Sequence, residues 1–333
     1  MKALVYLGPR RMELQDIPEP RPGPDEVVVQ TIASSVCGSD LHGFREASPR
    51  RIPPLIMGHE TVGVVTGVGD GTDERLLGRR VVLKPILPCR RCEACAAGRT
   101  NVCAQGRLVG RDLTGGFAER FAVPATAVVE LPAAVPDDVG TLVEPLANAV
   151  HVTSRAVEEG DDVLVIGAGP IGTLTARMCA ERGARTVLIT DRIASRLELA
   201  RRQGATPLDG TTAEDRVREA TGGRGVDVVI DAVGVEATWA LALRAVRPAG
   251  RIEAVGLGAA SGSLDYFGVI GKEATITGSF AWTDEDFARA LELVVTGAID
   301  PTGWFTHATF AGGQRAFEEL VDTTERFKVV LSP

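Results

Sequence analysis

Asp162-Val-Leu-Val-Ile166 reads as a strand, apolar after its first residue, and Gly167-Ala-Gly-Pro-Ile-Gly172 follows it directly, ahead of an amphipathic stretch that reaches Arg182. Few architectures accept three glycines at that spacing between a strand and a helix. Gly167 permits the tight turn, Gly169 lets the backbone approach a ligand, and Gly172 lets helix and strand pack closely. The rhythm then repeats. Strands over 186–190 and 227–231 each precede a helix, over 194–203 and 236–246, and further strands fall at 251–256 and 275–278. Strand and helix alternating in this way predict a parallel, doubly wound α/β sheet.

The first 150 residues read differently. Runs at 26–32, 61–68, 79–83 and 116–124 predict short strands between Gly/Pro turns, with no helical period before Pro145. This is β-rich, barrel-like material. A helix over 284–296 and a strand over 327–331 close the chain. At 333 residues the chain exceeds one hydrophobic core, so two domains are expected. The 44 acidic against 36 basic residues leave a net charge of −8 and no basic face, which argues against a nucleic-acid partner. The longest uncharged stretch, 163–176, is 14 residues and rich in glycine, whereas a bilayer span needs about 20 apolar residues. The N-terminal apolar run stops at Gly8-Pro9, too short for a signal peptide. A cytoplasmic protein with reduced cysteines is therefore the expectation.

Three sets of residues carry chemistry. The glycine loop offers helix N-terminal N–H groups to a pyrophosphate. Asp191, 19 residues past Gly172, lies where a carboxylate accepts ribose hydroxyls and repels a 2′-phosphate. That favours NAD over NADP, although Arg192 beside it is able to accommodate the extra phosphate. Cys89, Cys92, Cys95 and Cys103 place four of six cysteines within 15 residues, a spacing that wraps one tetrahedral zinc. Four protein ligands leave no open position, so that site is structural, with Arg90, Arg91 and Arg99 as counter-charges. Cys37, His59 and Glu144 together give one S, one N and one O ligand with a fourth position open, the composition of a catalytic zinc. Each of these three is unremarkable alone.

Taken in order, Cys37-Gly-Ser-Asp-Leu-His42, Gly58-His59-Glu60, the cysteine quartet, Glu144-Pro-Leu and the glycine loop resemble the zinc-containing medium-chain dehydrogenase/reductase superfamily, nearest its polyol and threonine dehydrogenase branch. The resemblance implies a GroES-like catalytic domain from residues 1–151 and 282–333, carrying the zinc loop 89–103, and a Rossmann domain over 152–281. It implies an active site in the cleft, two zinc ions per chain, and hydride transfer between a secondary alcohol and NAD. Cys37 and His59 match its first two zinc ligands, and either Glu60 or Glu144 supplies the next. A shell holding both glutamates would be net negative and a weaker Lewis acid, so one is expected at a time. Ser39 is implied to pass the substrate proton towards solvent, with Asp40 and His42 orienting ligands. Pro170, Ile171, Arg196, Val233, Gly234, Val255 and Gly256 complete the implied cofactor contacts. A homodimer or homotetramer acting on a small alcohol or ketone is expected.

One position departs from the pattern. Where polyol dehydrogenases often carry Arg-Tyr, this chain has Ala281-Trp282 after Phe280. The loss of that arginine puts sorbitol in doubt, and Phe280 and Trp282 suggest a flatter contact, alongside Ser39 and His42, for a sugar or cyclitol. The alternatives are a threonine-type amino-alcohol dehydrogenase and a non-catalytic cofactor-binding protein on the same fold.

Overall fold

The computed structural model describes residues 1–49, 51–323 and 326–333. These residues divide into two compact units, Met1–Glu144 with Ala290–Pro333, and Pro145–Arg289. The first unit is built on a seven-stranded sheet. Its path runs Phe305–Thr309, Lys328–Ser332, Glu26–Ser35, Glu60–Val68, Arg80–Leu83 and Val128–Glu130, with Arg120–Pro124 also paired to Glu26–Ser35. Val27, Val29, Val65, Val81, Phe121 and Val123 fill one core of this unit. A second core gathers Leu4, Tyr6, Phe44, Met57, Phe117, Phe317 and Leu331, with Phe117 set edge-on against Phe317 at 6.0 Å.

The second unit holds six parallel strands in the spatial order Thr206–Asp209, Thr186–Asp191, Asp162–Ile166, Val226–Asp231, Val246–Ala254, Thr275–Gly278. Numbered within the unit this is 3-2-1-4-5-6, the order of a dinucleotide fold. Successive residues of the central strand feed opposite faces. Val163 and Val165 join Ala176 and Cys179 on one side; Leu164 and Ile166 join Val217 and Leu243 on the other. Burial on both faces is why this strand reads as a continuous apolar run.

Several local expectations are corrected. A helix, Gly38–Arg45, forms well before Pro145; at eight residues it is too short to establish a visible period. The strand expected from 116 begins at Arg120, since a side chain at Gly115 or Gly116 would collide with the Met57 carbonyl or Thr61. The hairpin Lys2–Gly8 with Arg11–Asp16, the strand Phe305–Thr309 and the helix Gly313–Asp322 lack a counterpart in the sequence reading.

Candidate active site and metal centres

Antiparallel pairing of Glu26–Ser35 with Glu60–Val68 sets Ser35 opposite Glu60. Cys37 leaves the end of the first strand, and His59 and Glu60 open the second. The register therefore brings segments more than 20 residues apart in sequence to one point. Gly58, at φ +94 with Phe117 packed against it, makes the turn that delivers His59. One ligand atom from each of Cys37, His59 and Glu60 lies within 4.8 Å of the others. Glu144 sits in the first turn of the helix Val143–Ala156 and is buried, like His59 and Glu60.

Charge at this point is strongly negative. Burial pushes the His59 imidazolium down, but Asp40, Cys37 and Glu144 together raise it to about 10. A cation fits beside these acidic groups, and a metal-bound imidazole must be neutral. His59 Nδ1 is buried, makes no hydrogen bond, and lies 3.6 Å from Asp40 Oδ1. That is the side from which a carboxylate orients a metal-bound imidazole. One thiolate, one imidazole and one carboxylate fit zinc.

Glu60 has a further partner in the buried Lys328, whose Nζ donates to Glu60 Oε2 at 2.6 Å. Ser35 donates to the same oxygen. Sequence reading missed Lys328, though a lone charge inside the apolar run Phe327 to Leu331 was a usable signal. Ser39 is half-buried and accepts from Arg51 Nη2 at 3.0 Å. His42 is half-buried on the same helix, and burial with Arg45 lowers its pKa.

The cysteine quartet lies between the short paired strands Ile86–Leu87 and Arg107–Leu108. Its sulfurs stand 3.5 Å (Cys92 to Cys95), 3.7 Å (Cys92 to Cys103) and 4.0 Å (Cys89 to Cys95) apart. Four Zn–S bonds of about 2.3 Å in a tetrahedron separate sulfurs by about 3.8 Å, whereas a disulfide needs about 2.05 Å. The backbone N–H of Arg91 helps lower the Cys89 thiol to about 6, while burial and its sulfur neighbours raise Cys95 to about 12. A dication is what lets all four ionise together. Arg90, Arg91 and Arg99 are exposed around the loop.

In the second unit a Cβ at Gly172 would lie 1.7 Å from the Gly167 carbonyl oxygen, so only glycine fits there. At Gly169, which caps the helix Pro170–Glu181, an added Cβ would meet nothing within 4 Å, so the backbone there is open to close approach. Asp191 accepts from the N–H of Ala168 at 2.7 Å and of Ile193 at 3.0 Å, tying the glycine loop to the neighbouring strand. Arg192 is exposed and Arg196 half-buried. The Val233–Gly234 turn is gripped by Asp231, a fully buried carboxylate that accepts from both N–H groups and from Thr238 Oγ. Val255 and Gly256 donate to the Asp231 carbonyl, so the three implied cofactor loops interlock.

The Trp282 side chain is 2% exposed and packs on Phe287 at 4.8 Å, so its ring is covered rather than open to solvent. Phe280 is half exposed. His151, without a role in the sequence reading, pairs with Asp286 at 2.7 Å.

Comparison with known proteins agrees with this chemistry. Residues 23–133 match the alcohol dehydrogenase GroES-like domain, and residues 170–296 match the zinc-binding dehydrogenase family. The chain is 36% identical to an L-threonine 3-dehydrogenase of Pyrococcus abyssi over 92% of its own length and 91% of the relative's. An alcohol dehydrogenase of E. coli CFT073 solved with NADH superposes at a TM-score of 0.92 with 30% identity, covering 100% of this chain and 99% of that one. The 2R,3R-butanediol dehydrogenase of Bacillus subtilis superposes at 0.90 with 26% identity, over 100% and 99%. The chain belongs to the zinc-binding alcohol dehydrogenase family, in the branch that includes threonine and polyol dehydrogenases.

Proposed function

We infer that the chain oxidises a secondary alcohol flanked by a second polar group, with NAD as hydride acceptor. The observation that carries this is the Cys37/His59/Glu60 cluster, with His59 and Glu60 buried and Glu144 beside His59. When bound there, zinc acidifies the substrate hydroxyl, and nicotinamide takes the hydride. Cys37 and His59 would hold the metal, with Glu60 or Glu144 as the remaining protein ligand. Ser39 takes the hydroxyl proton and hands its own on towards solvent. Asp40 steadies His59. Gly167 to Gly172 receive the pyrophosphate at the helix N-terminus, and Asp191 takes the adenosine ribose hydroxyls. A polyol, sugar or cyclitol is the first reading of the substrate, and an amino alcohol the second, favoured by the threonine dehydrogenase relative. The test is metal analysis with an alcohol panel followed by NADH and NADPH absorbance. Two zinc ions per chain and turnover with NAD on one substrate class support the reading; one zinc and no turnover sink it.

A second copy of this chain is the proposed partner. Among the described residues no helix is long and apolar enough to cross a membrane. The strand Thr275–Gly278 ends its sheet, and the preceding helix Tyr266–Lys272 leaves Tyr266, Phe267 and Ile270 exposed at 73%, 88% and 71%. An open edge beside an apolar patch favours pairing with an identical edge. Phe267→Asp is expected to lower the mass measured by light scattering to that of a single chain; an unchanged mass places the interface elsewhere.

A further inference from the structure

Arg51 has no part in the chemistry described so far, yet it reaches the centre of it. Its side chain is 4% exposed. Nη2 donates to Ser39 Oγ at 3.0 Å and to Asp40 Oδ1 at 3.2 Å. The route is prepared by Gly43, where a Cβ would stand 2.6 Å from Arg51 Cγ. Arg51 is fixed at its own backbone by donating to the Ser48 carbonyl at 3.1 Å. A long cationic side chain is thus buried along a glycine and ends on two neighbouring residues of the active-site helix.

We propose that Arg51 is a positioning residue that fixes the Ser39 hydroxyl and, through Asp40, the ring of His59. The proposal rests on the dehydrogenase reading for the role of Ser39. A serine oxygen that accepts from a guanidinium must send its own O–H elsewhere, so its rotor is restricted. One lone pair is occupied by a donor that never deprotonates, which leaves the O–H and the remaining lone pair for other partners. That arrangement is what a group handing on a proton requires. Asp40, in turn, is fully buried 3.6 Å from His59 Nδ1. Pairing with Arg51 lets that carboxylate orient the imidazole without leaving an uncompensated charge in the interior. One guanidinium therefore links the proton path to the geometry of a metal ligand.

Arg51→Lys keeps the charge but ends one bond short of both partners, so it tests position rather than charge. With two zinc ions retained and melting close to the parent, kcat is expected to fall about 10–100-fold at nearly constant KM for the alcohol. The visible absorption bands of the protein with cobalt at the catalytic site should also move. Those bands are read without substrate, so they decide the Asp40–His59 half even if no alcohol is ever turned over. Unmoved bands overturn that half, and an unchanged kcat overturns the Ser39 half. If the lysine variant fails to fold, Asp40→Asn/Arg51→Gln removes both charges together and is read in the same two ways.

Discussion

At the scale of single residues, the pair of Lys328 and Glu60 makes the sharpest claim. Each is almost wholly enclosed, and each is the other's compensation. Lys328→Met leaves a carboxylate in the interior with only Ser35 to satisfy it, a change expected to cost about 3–5 kcal/mol in denaturant unfolding. Glu60→Gln/Lys328→Met should recover much of that loss. Equal losses in single and double variants would mean the pair is not coupled. The pair also bears on the metal: a lysine beside Glu60 offsets the extra negative charge, which removes the objection that both glutamates near one zinc would blunt its acidity. The sequence singled out Cys37, His59 and the quartet by spacing and ligand chemistry, and Glu60 by family resemblance; the structure gathers these residues into two clusters, with Glu144 outside the first. Arg51, Lys328 and Asp231 were not legible there, since each acts on a residue fixed by register or by a loop.

At the scale of elements, the glycine loop and its helix form one rigid joint. Gly172→Ala would drive a methyl into the Gly167 carbonyl and force the helix Pro170–Glu181 away from its strand. A cost of about 1–3 kcal/mol in stability is expected. NADH binding, followed by its fluorescence, should weaken by more than this loss of folded protein accounts for. Binding at the parental level would show that the loop is not the pyrophosphate site. Strands enclosed on both faces were legible almost to the residue, as Asp162–Ile166 and Val226–Asp231 attest. The short helix Gly38–Arg45 was not, because two turns carry too few residues to separate a period from chance. It matters more than its length suggests, for Cys37 caps it and Ser39, Asp40 and His42 ride on it.

At the scale of the molecule, one end of the parallel sheet is closed by ions. Asp162 and Asp227 stand at the starts of adjacent strands and receive Arg185, Arg224 and Arg247 between them. Burial pushes Asp227 up, but Arg247, the Asp162 N–H and Arg224 outweigh it and bring the group to about 2. Its folded value lies below its unfolded one, about 3.9, so the stabilisation is full above that pH and is lost as pH falls towards 2. Acid unfolding is expected to show about 2 kcal/mol of this dependence, and Asp227→Asn to flatten it. An unaltered pH profile in that variant would place the acid sensitivity in other groups. The two units divide inside the helices Val143–Ala156 and Asp284–Val295, so no linker composition marks the places; the bounds at 151 and 282 implied by the family resemblance lie a few residues away. The same arrangement sets an order of events during synthesis. Glu60 leaves the ribosome 268 residues before the lysine that will neutralise it, whereas Pro145–Arg289 is one uninterrupted stretch able to close on itself. Until residue 328 is made, the nascent first unit must keep a glutamate in water that the finished protein buries, so the metal-bearing unit is the last to mature.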